Sequence, residues 1–149
     1  MKRRRSKRLS RDLVGAALTG DAAGVRTLLR AGADPEGTDS EGTDSDGTTP
    51  LYAAAVQGDA EAVGILLRAG ADPDTESGGP GSEGTPLCAA ACWGHTDVVR
   101  ALLAAGAVPD LREDDGTGRT PLEWAMAGPW PETVAVLEGA GALLRTSGS

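Results

Sequence analysis

A period of about 36 residues runs through the chain and limits what it can fold into. Three segments align: GTTPLYAAAVQGDAEAVGILLRAGADPD from Gly47, GTPLCAAACWGHTDVVRALLAAGAVPD from Gly84, and GRTPLEWAMAGPWPETVAVLEGAGA from Gly118. Thr49 precedes Thr85 by 36 residues, and Thr85 precedes Thr120 by 35. A fourth segment, DLVGAALTGDAAGVRTLLRAGADPE from Asp12, shares the second half of the pattern, and its Gly32 stands 38 residues before Gly70. Self-similarity at this spacing marks stacked units, none of which buries its apolar face alone.

Each unit spells out two short helices. Thr49-Pro50 suits a helix start, because the hydroxyl accepts from free amides and proline at the first helical position has no N–H to leave unpaired. An alanine-rich helix follows to Gly58, and Ala53, Ala54 and Ala55 leave room for a neighbouring helix to approach closely. A second helix, from about Ala60 to Ala69, puts Val63, Leu66 and Leu67 at i, i+3 and i+4, an apolar stripe. Gly70 suits its left-handed end, and Asp72-Pro73 keeps the helix from resuming.

These motifs resemble the ankyrin repeat family. The residues that carry the likeness are Thr-Pro-Leu starting at Thr49, Thr85 and Thr120, the alanine pairs at Ala16, Ala54 and Ala90, Gly94-His95, and Ala-Gly-Ala starting at Ala31, Ala69, Ala105 and Ala140. They span about residues 10–145. The resemblance implies an all-α repeat solenoid of about four helix-turn-helix units, near residues 10–35, 47–73, 84–110 and 118–142, with finger loops projecting between them.

The family's period is about 33 residues, and the extra residues here fall between Ala-Gly-Ala and the next Thr-Pro-Leu. The fingers are therefore expected to be lengthened: EGTDSEGTDSDG from Glu36, GGPGSEG from Gly78 and REDDGTG from Arg112. The terminal units read as caps. The first has Arg11-Asp12-Leu13 in place of Thr-Pro-Leu; the last has Glu138 where Leu67 and Leu103 stand, and Pro129-Trp130-Pro131 in place of the Gly-His turn. A stack needs polar faces at its ends.

Charge is divided unevenly along the chain. Lys2, Arg3, Arg4, Arg5, Lys7, Arg8 and Arg11 hold seven of the 14 basic residues, and all 22 acidic residues follow. A basic, flexible arm over residues 1–9 is thus expected ahead of an acidic body, with a flexible tail at 146–149. Such a body repels nucleic acid, so only the arm offers phosphates a few weak, salt-sensitive contacts. Nucleic-acid or anionic-surface binding through that arm, with the repeats as carrier, is the alternative function.

No apolar run approaches the roughly 18 residues of a membrane span. LVGAAL at residues 13–18 is too short for the core of a secretory signal. Two cysteines four residues apart make no disulfide framework, and a cytoplasmic setting is expected. The chain is 40% hydrophobic but only 3% aromatic, without phenylalanine, so its core should be thin and aliphatic. The richness in Ala, Gly and Arg fits the bias of a GC-rich, bacterial genome.

Candidate chemistry is weak throughout. Asp44-Ser45-Asp46-Gly47 echoes a calcium loop, but with Gly47 at its invariant glycine the first and last ligand positions fall on Gly42 and Ala53. Cys88, Cys92 and His95 are too few for a closed zinc site, which takes four ligands, and the resemblance implies instead that His95 bonds backbone in the turn. No phosphate-binding glycine loop occurs, and the carboxylates cluster on solvated fingers where acid-base tuning fails. No enzyme activity, cofactor or metal is expected.

The resemblance implies binding of a partner protein along the concave row of inner helices and the fingers. Tyr52, Val56, Gln57, Trp93 and Arg119 are the expected contacts, and Asp44, Asp46, Glu83 and Asp115 supply negative fingertips favouring a basic partner. Trp124 falls on a core position of the family, whereas Trp130, between two prolines, fits either a core or a surface role. A monomer is expected.

Overall fold

The computed structural model describes residues 2–37, 47–77, 84–112 and 118–141, with side chains from residue 7 onward. Eight helices lie within them: α1 Lys2–Leu18, α2 Ala22–Arg30, α3 Pro50–Gln57, α4 Ala60–Arg68, α5 Pro86–Cys92, α6 Thr96–Ala104, α7 Pro121–Ala127 and α8 Pro131–Gly139. The helices form consecutive pairs stacked in two rows. In the inner row α1, α3, α5 and α7 pack in succession; in the outer row α2, α4, α6 and α8 do the same. The expected all-α solenoid is therefore what forms, with one isolated antiparallel bridge, Ser77 to Gly84, among the described residues.

Threonine and proline set where the inner helices begin. The hydroxyl oxygens of Thr49, Thr85 and Thr120 accept from the amides of Tyr52, Cys88 and Glu123 at 3.2, 3.1 and 3.1 Å. Each following proline disfavours helical backbone at the threonine and so stops the helix from growing backward. The first unit has Arg11-Asp12 instead, and there α1 runs back to Lys2. The basic stretch set apart above as an arm thus forms the first turns of α1.

Packing follows the small residues. Ala54, Ala90 and Ala125 recur at one position of successive units and are fully buried, which brings α3, α5 and α7 close together. Around them lie Leu51, Leu87 and Leu122 from the inner row and Leu66, Leu102 and Leu137 from the outer row, all at most 2% exposed. Each such leucine contributes roughly 1.5 to 3 kcal/mol by leaving water. No aromatic side chain is fully buried among the described residues.

Polar contacts between units repeat as well. Glu36 accepts from the Asp72 amide at 2.8 Å and from the Thr75 hydroxyl at 2.9 Å. One unit later Asp74 accepts from the Val108 amide at 3.0 Å. Ser77 ties the base of the second finger to the start of α3 by accepting from the Thr49 amide at 2.9 Å.

Candidate functional site

The inner row leaves the C-terminal ends of its helices uncovered. Trp93, just past the end of α5, is 58% exposed and Leu18, at the end of α1, is 42% exposed. Val56 and Cys92 are half-buried at the corresponding place in α3 and α5, and Gln57 is exposed. Leu18, Val56, Gln57, Cys92 and Trp93 therefore run from unit to unit as an apolar stripe edged with polar atoms.

The expected contact residues separate on this surface. Trp93 presents its indole to solvent. Tyr52 is half-buried and packs against the core. Gln57 is partly committed, since its Nε2 donates to the Leu18 carbonyl and so joins the first two units. Arg119 is exposed, with its guanidinium 4.9 Å from the ring centroid of Trp124. Asp44, Asp46, Glu83 and Asp115 lie outside the described residues.

Leu18 was not among the residues expected from sequence, although its 38-residue offset from Val56 marks it as the same position. Met126, 51% exposed, was also missed. Its position is filled by fully buried Ala55 and Ala91 in the preceding units. No further inner helix covers α7 among the described residues, so the side chain is open there.

Behind the stripe, turn side chains bind one unit to the next. His95 Nε2 donates to the Val56 carbonyl at 3.0 Å, and Trp130 Nε1 donates to the Cys92 carbonyl at 2.9 Å. Both residues stand immediately before an outer helix, where Asp21 and Asp59 instead cap their own helices by accepting from Gly24 and Ala62. The rings pass directly over glycine. A Cβ on Gly58 would stand 2.6 Å from the His95 ring, and one on Gly94 would stand 2.4 Å from that of Trp130. Both glycines also hold positive φ, 75° and 71°, which only glycine adopts without strain.

The last unit carries the main charged cluster of the inner row. Thr120 and Glu123 form a capping box, the Thr120 amide donating to Glu123 at 3.0 Å. Arg112 lies 3.3 Å from the same carboxylate and donates to the Gly118 carbonyl at 2.7 Å, closing the base of the third finger. The Thr120 amide above all, then the Thr120 hydroxyl and the guanidiniums of Arg112 and Arg119, hold the Glu123 carboxyl below its ordinary range.

This geometry joins neighbouring units and leaves an apolar stripe exposed along the inner row. Cys88 Sγ sits 3.6 Å from the Arg119 carbonyl and His95 faces Val56, so those two point to different partners. Among the described residues no three His, Cys, Asp or Glu side chains gather as metal ligands, and no helix is long and apolar enough to cross a membrane.

Helix pairs stacked in two rows define a repeat scaffold. The chain belongs to the ankyrin repeat family: the family model for Ankyrin repeats (3 copies) matches residues 76–142, and that for a single Ankyrin repeat matches residues 46–77. Ankyrin repeats are generally non-catalytic protein–protein interaction modules. Comparison with curated proteins returns no match. The pair α1–α2 precedes both matched regions, yet it packs onto α3 and α4 as the other pairs pack on one another.

Proposed function

We propose that the chain is a monomeric, cytoplasmic adaptor that holds a partner protein along the open face of its inner row. Trp93 is the anchor, with Tyr52, Val56, Gln57 and Arg119 around it. The acidic residues Asp44, Asp46, Glu83 and Asp115 favour a basic partner and steer its approach. The observation that carries this reading is the 58% exposure of Trp93. A large indole held open beside an apolar stripe is the residue type that most often dominates an interface.

Co-purification from the source lysate tests it, comparing wild type with Trp93→Ala and with the Tyr52→Ala, Trp93→Ala double variant, each with and without nuclease. A protein retained by wild type and lost by Trp93→Ala supports the proposal. Retention by all three proteins that vanishes with nuclease would instead place the function on the basic turns of α1.

A further inference from the structure

The outer row has a feature that partner binding at the inner row does not use. Between the C-terminal parts of α2 and α4 lies a groove of about 340 Å³, lined by Arg26, Leu29, Arg30, Ile65, Arg68 and Ala69. Its floor is aliphatic: Ile65 is 8% exposed and Leu29 packs, half-buried, against the core. Its rim carries three guanidinium groups.

That concentration of positive charge stands out in an acidic body. Only seven basic residues follow Arg11, and three of them line this groove. Of the others described, Arg100 pairs with Asp97 and Glu132, Arg112 pairs with Glu123, and Arg119 covers Trp124. At the groove, Arg26 meets Glu61 at 3.8 Å with the two side chains 46% and 66% exposed, a contact that contributes little. Arg30 and Arg68 have no ion-pair partner among the described residues. As last-turn residues they complement the dipoles of α2 and α4, but that role leaves their donors open.

We propose that this groove binds an acidic peptide segment of a partner protein, its carboxylates on Arg26, Arg30 and Arg68 and an aliphatic side chain on Leu29 and Ile65. The planar guanidinium fork matches a carboxylate through two parallel hydrogen bonds. An apolar floor with a few charged groups at its rim orients such a ligand. A nucleic-acid backbone fits less well, because it offers the floor no aliphatic group and is a long polyanion beside a chain of net charge −8. The site is separate from the Trp93 stripe, so the two bind independently.

The test titrates the full chain into a fluorescein-labelled six-residue peptide of Glu and Leu, read by anisotropy, with a Lys and Leu peptide as control. The acidic peptide should bind and the basic one should not. The Arg30→Glu, Arg68→Glu variant should lose at least roughly tenfold in affinity, whereas Trp93→Ala should bind as wild type does. Arg30→Gln, Arg68→Gln serves if charge reversal lowers the unfolding midpoint, with a smaller loss expected in the same direction. Absence of binding by wild type, equal binding by the arginine variants, equal binding of the basic peptide, or loss of binding with Trp93→Ala would each overturn the proposal. Displacement of the peptide by a duplex oligonucleotide at lower concentration would move the ligand class to phosphates and overturn the peptide assignment.

Discussion

The indole of Trp130 donates to the carbonyl of Cys92 across 38 residues, as the imidazole of His95 does to the carbonyl of Val56 one unit earlier. Two different rings thus perform one task, satisfying the carbonyl that an inner helix leaves unpaired at its end. Trp130→Ala removes both the bond and a half-buried ring and should cost about 3 kcal/mol. Trp130→His should recover part of that loss, because imidazole already makes this bond at the preceding turn. Urea unfolding of the two variants checks the point; equal losses would show that only the bulk of the indole matters.

The glycine under the ring gives a sharper contrast. Gly94 and Gly106 both hold positive φ, but a Cβ on Gly94 meets the Trp130 ring whereas one on Gly106 meets nothing within 4 Å. Gly106→Ala should therefore carry only the left-handed strain, about 1 to 2 kcal/mol. Gly94→Ala adds the displacement of Trp130 and should lower the unfolding midpoint further. Indistinguishable midpoints would remove the steric part of this account.

Core depth ranks the outer-row leucines. Leu66 is fully buried between neighbouring units, while Leu67 beside it is half-buried. Leu66→Ala should cost on the order of 2 to 5 kcal/mol, enough to unfold much of a stack whose stability comes from contacts between neighbours. Leu67→Ala should cost clearly less. An unchanged urea midpoint for Leu66→Ala would contradict the packing described.

Glu123 predicts a pH dependence. The Thr120 amide and the nearby guanidiniums favour its charged form, so its folded pKa lies below the ordinary value of 4.5. Its contribution is present above that value and is lost as pH falls through the lowered one, because the unfolded chain then binds the extra proton. Glu123→Gln keeps an acceptor for the Thr120 amide without the charge. Its side chain is 38% exposed, so screening keeps the effect small, about 2 °C or less in Tm at neutral pH. The gap from wild type should narrow as pH falls below 4.5 in melts followed by circular dichroism; a gap that stays constant as the solution is acidified would rule out the carboxylate as its source.

Trp93 should behave in the opposite way to Trp130. With 58% of its surface already in water, Trp93→Ala should change stability by less than about 0.5 kcal/mol. A large thermal shift would mean that the ring packs against neighbouring structure and would weaken its assignment as an anchor.

Much of this molecule is legible in short stretches of sequence. Thr49-Pro50, Asp59 and Gly70 act on backbone groups within a few residues, so the start, cap and end of each helix follow from local chemistry. The apolar stripe of the second helix likewise names Val63 and Leu66, both fully buried, although it also names Leu67, which is half-buried. The roles of residues that act across units are a different matter. By sequence alone Trp130 fits a core or a surface role, and only the stacking of the last unit sets its indole over Gly94; the reach of the Gln57 amide to Leu18 is likewise invisible along the chain. Nothing near Arg30 in the chain points to Arg68, 38 residues on; they share a groove because α2 and α4 stack side by side. Hydrogen bonds within a turn depend on spacing along the backbone, whereas contacts between turns depend on the distance and rotation at which packed helices come to rest.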